Sequence, residues 1–424
     1  MSAMIVPKGW EIKRLGELVD IVGGGTPARD IEEYWKKGSI PWVTVKDLHQ
    51  KLEISDSEER ITEFGLKNSA ANLIPPQNII TPTRMSLGRF FINSVHITIN
   101  QDLKALKPKK TIFPLFLLWN LLQYGTKLEA LGTGTTVKGI TLPDLKNLQL
   151  PVPSFPEQQK IATILSTLDR TIEATEKLIN KEKMVKKGLM ADLLTHGIDE
   201  QGRIRSPQTH TYVNSPLGMI PEGWEVKAIE KLILKVMDFR GKTPLKIGMD
   251  WGGGMIHSLS ANNVQMGRIN FDKETHLGSE ELYDSWMNKG DTKKDDIVFT
   301  MEAPLGNVAL IPDSRKYILS QRVVLLRPND YISPRYLFNY LMSDFFQNTL
   351  LKYSSGSTVK GIQYSKLKEI EIRYPTKKIE QQKIIVILSA QDRKIETEEI
   401  NLAKLQNLKK GLMGDLLSGK VRVK

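Results

Sequence analysis

Two long segments of the chain carry the same alternation of apolar and polar residues. The first begins at Glu157 and ends near Gly197, and the second runs from Glu380 to Gly419. Apolar residues return mainly at intervals of three, four or seven positions, which is the heptad spacing of helices that pack along a seam. The seam positions are Ile161, Leu165, Leu168, Ile172, Ile179, Leu189 and Leu193 in the first segment, and Ile384, Leu388, Ile395, Leu402, Leu405, Leu412 and Leu416 in the second. The pattern predicts two long helices whose seams can be buried against each other.

These two segments are copies of one another. The shared motifs are Glu-Gln-Gln-Lys-Ile at 157–161 and 380–384, and Lys-Lys-Gly-Leu-Met at 186–190 and 409–413. Their offset is constant, and a repeat of this length argues against two unrelated helices packed on separate cores. The seams differ at two places, because Leu168 aligns with Gln391 and Glu182 aligns with Leu405.

The segments that precede the helices are repeated as well. The matching motifs are Pro-Lys-Gly-Trp-Glu at 7–11 with Pro-Glu-Gly-Trp-Glu at 221–225, and Gly-Thr-Thr-Val-Lys-Gly-Ile at 134–140 with Gly-Ser-Thr-Val-Lys-Gly-Ile at 356–362. Between these motifs lie short β-rich runs separated by turns, and then helical patterns that begin at Pro114 and Pro334. The fold class predicted is α+β, with two tandem α+β domains, each followed by a long helix.

The repeat also predicts where the domains begin and end. The predicted segments are 1–152 for the first domain, 153–197 for the first long helix, 198–216 for an exposed linker, 217–376 for the second domain, and 377–424 for the second long helix with a basic tail. The linker is predicted from its polar residues, a glycine and two prolines.

Composition narrows the possible partners. The 424 residues carry a formal net charge of +12, which favours a polyanionic partner, nucleic acid first and a membrane surface second. The absence of cysteine excludes disulfides and thiolate metal sites. The first ten residues show no signal-peptide pattern, and no apolar run approaches the roughly 20 residues that span a bilayer. A cytoplasmic location without membrane contact is therefore expected.

A search for catalytic chemistry finds no constellation of residues that would support it. The histidines lack metal-ligand spacing, and Gly241-Lys242-Thr243 lacks the earlier glycine of a phosphate-binding loop, because Val236 occupies that position. The nearest match to an adenine-methyltransferase motif, Leu73 to Gln77, lacks both the acid or amide and the aromatic residue. The chain is thus predicted to be non-catalytic, with no metal site.

The basic residues of the predicted loops are candidates for DNA contact. Lys and Arg neutralise phosphates, Arg can also bind guanine through two hydrogen bonds, and Gly-rich backbone can approach a phosphate closely. The candidate DNA-binding residues are Gly25, Thr26, Arg29, Lys46, Arg84, Arg89 and Lys138 in the first domain, and Arg240, Lys242, Thr243, Arg268, Arg322 and Lys360 in the second. The repeated motif that contains Lys138 and Lys360 fits a structural turn beside the long helix at least as well as a DNA contact.

Over essentially its full length the chain resembles the specificity subunit of a Type I restriction-modification system. The motifs that carry the resemblance are Pro-Lys-Gly-Trp-Glu at 7–11, Gly-Gly-Thr-Pro at 24–27, Pro-Ser-Phe-Pro-Glu-Gln-Gln-Lys-Ile at 153–161, Lys-Lys-Gly-Leu-Met at 186–190 and Leu-Leu-Ser-Gly-Lys-Val-Arg-Val at 416–423. The chain departs from the family pattern before the second long helix, where only Pro375 remains of the usual two prolines.

The resemblance implies more than the spacing does. It implies two target-recognition domains related by a pseudo-twofold axis, each reading one half of a split double-stranded DNA target. It also implies an antiparallel coiled coil that sets the spacer and docks two modification subunits, which bind S-adenosylmethionine. Restriction subunits would complete the complex, and ATP and Mg would be bound by partners, so that this chain needs no cofactor. The helix residues expected to contact partners are Gln158, Gln159, Asp169, Lys187, Gln381, Gln382, Asp392 and Lys410.

Two alternatives from other functional classes remain. A self-contained enzyme that modifies or cleaves DNA with an unrecognised active site is one, and the missing cofactor loop argues against it. A structural protein that uses the coiled coil only for self-assembly is the other, and the duplicated basic domains argue against that. The salt dependence of DNA binding would separate a DNA-reading subunit from a purely structural protein.

Overall fold

The computed structural model describes residues 6–48, 52–83, 88–131, 141–241, 243–273, 275–356 and 358–423, and within these ranges the side chains of 126–131 are excluded. The chain folds into two compact units. Unit 1 comprises Met1–Lys177 and Glu399–Lys424, and unit 2 comprises Leu178–Glu398. The boundary falls inside both long helices, so each unit contains the first part of one helix and the last part of the other. The sequence-based boundaries had assigned each whole helix to a segment of its own. None of the described helices is both long enough and apolar enough to cross a membrane.

Unit 1 is built on a five-stranded sheet. Its strands are β1 Glu11–Arg14, β2 Val19–Gly23, β3 Ile40–Val43, β4 Glu53–Ile54, β5 Glu59–Ile61, β6 Ile79–Pro82, β7 Phe91–Asn93, β8 Thr98–Ile99, β9 Leu103–Pro108 and β10 Gln149–Val152. Its helices are α1 Leu15–Leu18, α2 Glu63–Lys67, α3 Pro114–Leu131 and α4 Leu142–Lys146. The five-stranded sheet has the order β2-β9-β6-β7-β4, a second sheet has the order β5-β3-β8, and β1 pairs with β10.

Unit 2 repeats this plan with its own additions. Its strands are β11 Tyr212–Ser215, β12 Gly218–Pro221, β13 Trp224–Ala228, β14 Ile233–Asp238, β15 Ile256–Leu259, β16 Val264–Gln265, β17 Arg268–Ile269, β18 Leu277–Gly278, β19 Ile297–Thr300, β20 Val308–Leu310, β21 Ile318–Leu319, β22 Val323–Pro328 and β23 Glu371–Pro375. Its sheets have the orders β14-β22-β19-β20 and β18-β15-β21, with β13 paired to β23, β11 to β12 and β16 to β17.

The helices of unit 2 complete the repeat. The short helices of unit 2 are α6 Ile229–Leu232, α7 Glu280–Trp286, α8 Pro334–Met342, α9 Asp344–Tyr353 and α10 Tyr364–Leu367. The long helices are α5 Phe155–Leu193, which starts in unit 1, and α11 Lys378–Ser418, which starts in unit 2. Both α3 and α8 begin with the proline that the sequence pattern identified, since proline at a first helical position leaves no N–H unpaired. The tandem α+β prediction is confirmed.

The central sheet of each unit is buried on both faces, which explains its nearly continuous apolar strands. In unit 1, Ile79 lies in the core formed with α3, whereas its neighbour Ile80 lies in the core shared with the three-stranded sheet. In unit 2, Phe299 and Val298 divide in the same way between two cores. Successive side chains of a strand point to opposite faces, so a strand between two layers needs apolar residues at every position.

The long helices run antiparallel within unit 2. Glu182 of α5 contacts Lys394 of α11 at 2.7 Å, and Lys186, one turn further along α5, contacts Asp392 at 2.5 Å. Higher numbers on one helix therefore meet lower numbers on the other. In unit 1 the equivalent ion pair joins Lys409 and Asp169. The predicted antiparallel coiled coil is confirmed.

The ends of the seams also belong to the domain cores. Ile161, Leu165 and Leu416 pack into the core of unit 1, and Leu193 and Leu388 pack into the core of unit 2. The apolar stripe of each long helix therefore makes two kinds of contact: with the other long helix in its middle part and with a domain core at its ends. The sequence alone does not distinguish the two kinds of contact, because both require the same apolar stripe.

The segment predicted as an exposed linker, 198–216, is attached to unit 2. Ile198 is buried in the unit 2 core, Asp199 is buried beside it, and Arg205 forms an ion pair with Glu380. Its last residues form β11, which pairs with β12. Its polar composition suggested solvent, but the polar groups are satisfied by internal hydrogen bonds, such as those from Arg203 to Asp199.

Candidate nucleic-acid interface

The loops at one end of the central sheet of unit 1 hold several predicted DNA-binding residues. Strand β2 leads into Gly24, Gly25 and Thr26, and this turn packs against the turn between β8 and β9. An added Cβ would lie 2.0 Å from the Asn100 carbonyl oxygen at Gly24 and 2.2 Å from the Ala70 carbonyl oxygen at Gly25, so only glycine fits. The Thr26 hydroxyl donates a hydrogen bond to the side-chain oxygen of Gln101.

Arg29 lies beside this turn but is already engaged. Its guanidinium carbon lies 3.9 Å from the ring centre of Trp35 and 4.8 Å from that of Trp42. It donates two hydrogen bonds to the Glu59 carboxylate, at 2.5 and 2.8 Å. These bonds hold the pKa of Glu59 below its ordinary value. Arg29 therefore lies over two aromatic rings with its charge paired, while 52% of its side chain stays exposed.

The remaining candidates in unit 1 divide into three groups. Lys46 is exposed, shortly after the end of β3. Arg89, in the turn between β6 and β7, donates to the Leu48 carbonyl oxygen at 3.1 Å and lies over the Phe91 ring. Two candidates, Arg84 and Lys138, lie outside the described residues.

The same end of the central sheet in unit 2 carries two arginines. Arg240, after β14, donates hydrogen bonds to the Asp238 carboxylate at 2.6, 2.9 and 3.1 Å. Burial alone would raise the pKa of Asp238, but the hydrogen bonds from Arg240 hold it below its ordinary value. Arg322, just before β22, lies 3.5 Å from Glu302 and keeps 49% of its side chain exposed. Arg322 is thus the more accessible of the two.

Two further candidates in unit 2 lie near Arg322 or its partner Glu302, and a third lies on a separate hairpin. Thr243 lines a cavity together with Arg322. Lys360 is exposed and adjoins Gly361, which bridges to Glu302. Arg268 is exposed on the β16–β17 hairpin, where it donates to Gln265. Lys242 lies outside the described residues.

Several residues of this surface escaped the sequence analysis. The most informative are Trp35, Trp42 and Glu59 around Arg29, and Trp251, His276 and Gln321 around the cavity of unit 2. Trp42 lies in a predicted strand, which indicates a core residue, and His276 lacks metal-ligand spacing, which indicates a surface residue. Only the strand pairing brings these side chains beside the predicted basic residues.

The predicted partner-binding glutamines are of two kinds. Gln158 and Gln381 are buried, and each binds the domain that precedes its own helix. Gln158 accepts from the Phe113 N–H at 2.8 Å, and Gln381 accepts from the Ser333 N–H at 2.7 Å. Gln159 and Gln382, one position later, are exposed. The exposed pair has the accessibility that a partner contact requires, whereas the buried pair orients the helix on its domain.

Two of the four charged helix candidates, the aspartates, have equivalent neighbours in the two units. Asp169 and Asp392 form ion pairs with Lys409 and Lys186 of the opposite helix. Lys187 lies 2.7 Å from Asp344, and Lys410 is exposed. Contact of these residues with partner subunits stays a prediction.

A buried carboxylate at the start of each long helix was missed by the sequence analysis. Glu157 accepts from the Trp10 indole N–H at 3.2 Å and from Arg422 at 2.8 and 2.9 Å. Glu380 accepts from the Trp224 indole N–H at 3.1 Å and from Arg205 at 2.5 and 3.0 Å. The hydrogen bonds from Arg422 hold the pKa of Glu157 below its ordinary value. We call this Trp–Glu–Arg arrangement the clamp of each unit.

Two of the short repeated motifs supply residues of the clamp. The tryptophan comes from the Gly-Trp-Glu motif and the glutamate from the Glu-Gln-Gln-Lys-Ile motif. The arginine comes from the segment that follows the other long helix. Among the described residues there is no cluster of three or more His, Asp or Glu side chains that could hold a metal ion.

Comparison with known proteins places the chain in a family. The family model described as "Type I restriction modification DNA specificity domain" matches the chain twice, over residues 7–182 and 221–407. These two matches cover most of the chain and correspond to its internal repeat.

Individual relatives agree with the family match. The chain is 26% identical to the MjaVIII Type I restriction enzyme specificity subunit of Methanocaldococcus jannaschii, over 100% of this chain and 96% of the relative. It is 36% identical to the EcoR124I/EcoR124II specificity subunit of Escherichia coli over 38% of this chain and 41% of the relative. Its fold is similar to the crystal structure of an S subunit from M. genitalium, with a TM-score of 0.60, 16% identity and 98% of each chain covered.

Proposed function

This chain belongs to the family of Type I restriction-modification DNA specificity proteins, and from that premise we propose that units 1 and 2 each read one half of a split DNA target. The observation that carries the proposal is the duplication of one loop cluster. In each unit, two turns bring Thr, Gln and Arg side chains to one end of the central sheet. They are the turns after β2 and before β9 in unit 1, and the turns after β14 and before β22 in unit 2. These side chains are among those that bind base edges in the major groove.

The two halves of the target should differ in sequence. The loop clusters keep the same backbone plan, but their side chains differ, since unit 1 places Trp42 and Glu59 where unit 2 places Ser258 and His276. Two readers with different side chains favour two different short sequences. The formal charge of +12 supports binding to phosphates without specifying sequence.

The long helices supply the proposed surfaces for partner subunits. Gln159, Gln382 and Lys410 are exposed on them, and we propose that modification subunits, and with them restriction subunits, dock there. In this proposal the chain performs no chemistry itself, directs adenine methylation by its partners, and fixes the spacer between half-sites.

Mapping of methylated adenines tests the proposal. The chain and its cognate modification subunit would be produced together in a host that lacks other adenine methylation, and methylated positions would be read across the genome. We expect one motif, made of two short blocks around a fixed gap. Omission of this chain should abolish that methylation. Methylation that persists without the chain, or that follows a single uninterrupted block, would contradict the proposal.

A further inference from the structure

The two units differ at one equivalent position of the three-stranded sheet. In unit 1, Trp42 of β3 pairs with Glu59 on one side and with Thr98 on the other. In unit 2, Ser258 of β15 occupies the same place, because it pairs with Ile318 and its N–H donates to the His276 carbonyl oxygen. The register therefore makes Ser258 the counterpart of Trp42, and His276 the counterpart of Glu59.

This position is filled in unit 1. The Trp42 ring and the Trp35 ring lie edge to face, with their centres 5.1 Å apart. The Arg29 guanidinium covers both rings and is held by Glu59. Beside them, the Thr26 hydroxyl donates a hydrogen bond to Gln101. The polar side chains at this position are therefore hydrogen-bonded in two pairs, Thr26 with Gln101 and Arg29 with Glu59.

The same position is open in unit 2. A cavity of about 310 Å³ lies there, at the lower end of the roughly 300–1,000 Å³ of small-molecule sites. Serine at 258 leaves the space that tryptophan occupies in unit 1. One wall is an aromatic stack of Trp251 on His276, with ring centres 5.0 Å apart and planes 13° apart. The other lining residues include Thr243, Ser260, Asn262, Gln321 and Arg322.

The chemistry of this lining indicates the class of ligand. Phosphate sites usually gather several cations, whereas Arg322 is the one Lys or Arg among the described lining residues; it lies 3.5 Å from Glu302 and is accompanied by hydroxyls and amides. Neutral donors and acceptors beside aromatic rings suit a flat, uncharged heterocycle. Gln and Asn bind adenine edges, Arg binds guanine edges, and aromatic rings stack on bases.

We propose that the cavity of unit 2 takes a nucleobase of the target, with Gln321 and Arg322 reading its edge and the stack of Trp251 and His276 forming its wall. The proposal rests on the proposed function and goes further, because it assigns base reading to one cavity. Among the described residues of unit 1, Trp42 occupies the equivalent position, with Trp35 and Arg29 packed against it.

The test uses the complex of the full chain with its modification subunit. The variants are Gln321→Ala, Arg322→Ala and Ser258→Trp, and the last of these places in unit 2 the side chain that closes unit 1. The readout is the methylation rate on a library in which every base of the split motif is varied. We expect loss of discrimination, roughly 10- to 100-fold, at one or two positions of one half-site, because a good base contact has about that effect. The other half-site should keep its wild-type preferences.

Arg315→Ala provides the matched control. Arg315 is an exposed arginine in the loop between β20 and β21, at the opposite end of the sheet, and it pairs with Asp313. Its removal deletes one positive charge from unit 2 and should leave the motif unchanged. Thermal unfolding and co-purification with the modification subunit would show that Ser258→Trp is folded, and the two alanine variants keep the test decisive if it is not.

The possible outcomes are distinguishable. A wild-type motif in both halves for Gln321→Ala and Arg322→Ala would overturn the cavity proposal and leave the proposed function standing. Weakened binding that is equal for all sequences, with a salt dependence lowered by about one charge, would mark Arg322 as a phosphate contact and overturn base reading. The absence of any split motif with the wild-type chain would instead overturn the proposed function.

Discussion

Units 1 and 2 use the same clamp at the start of their long helices, but they differ at the loops proposed to read DNA. Trp10, Glu157 and Arg422 repeat in unit 2 as Trp224, Glu380 and Arg205, with similar hydrogen-bond lengths. At the end proposed to read DNA, by contrast, unit 1 has Trp42 with Trp35 and Arg29 packed against it, whereas unit 2 has Ser258 in the wall of a cavity.

This difference shows which parts of the repeat are constrained by folding. The clamp joins a helix start to a segment that follows the other helix, so a change in any member leaves buried polar groups without partners. The reading loops lie at a strand end, where many side chains are compatible with the same backbone pairing. The two units can therefore diverge in what they read while they keep one architecture.

The largest expected effect is on the clamps. Glu380→Gln should lower the free energy of unfolding by about 2–4 kcal/mol, because it leaves Arg205 buried without its charge partner. Glu157→Gln should cost less, because the Arg422 side chain is 33% exposed, against 17% for Arg205, and water can solvate it. Urea unfolding of the full chain measures both. Equal costs, or a larger cost for Glu157→Gln, would contradict the comparison.

The acid dependence of stability provides a control for this comparison. The pKa of Glu157 in the folded chain lies below its ordinary value of 4.5, so its contribution is fully present above that pH. The contribution is lost as the pH falls through the lowered folded pKa. The difference in stability between wild type and Glu157→Gln should therefore shrink in acid.

A smaller effect is expected in the coiled-coil seam. In unit 2, Glu182 is buried and accepts a hydrogen bond from Gln391 at 2.8 Å. The repeat places Leu168 and Leu405 at the equivalent positions of unit 1. Leu168→Gln should cost about 1–3 kcal/mol, because it puts an amide into an apolar seam. Adding both Leu405→Glu and Thr171→Lys should recover part of that loss, since together they rebuild the arrangement of unit 2, in which Glu182 is bound by Gln391 and by Lys394.

The reverse exchange completes this test. Replacing both Glu182 and Gln391 with leucine should be neutral or stabilising, because an apolar pair often replaces a buried polar pair without loss. Urea unfolding of the single and combined variants gives the coupling in each unit. If Leu405→Glu and Thr171→Lys together deepened the loss caused by Leu168→Gln, the two seams would not be equivalent.

The smallest effect separates the two arginines of the reading loops. Arg29→Ala should lower stability by about 1 kcal/mol, because it removes contacts with two indole rings and a two-hydrogen-bond ion pair with Glu59, all at an exposed site. Arg322→Ala should change stability by less than about 0.5 kcal/mol, because its side chain is similarly exposed but its ion pair with Glu302 is longer, at 3.5 Å. Thermal and urea unfolding compare the two, with Arg29→Lys as the variant that keeps charge but loses the planar stack. A larger loss for Arg322→Ala would show that its role is structural.

Much of the fold could be predicted from the sequence, because its signals are periodic and local. The heptad spacing from Ile161 to Leu193 and from Ile384 to Leu416 identified both helices, and the proline starts identified α3 and α8. Which candidate residues contact DNA stays a prediction. The structure places Thr243 and Arg322 along one cavity, and it pairs Arg29, Arg240 and Arg322 with Glu59, Asp238 and Glu302, which sequence patterns could not foresee.

The sequence alone determined the duplication, the order of the elements and the long helices, because a repeat and a hydrophobic period can be read along one dimension. The tertiary structure alone decided which polar residues meet. Glu157 is 265 positions from Arg422, and no local pattern links them. The cavity of unit 2 likewise depends on strand register, which sets Ser258 where unit 1 has Trp42. Side chains that are distant in sequence become neighbours only through strand and helix pairing, so the chemistry of both sites was decided at that level.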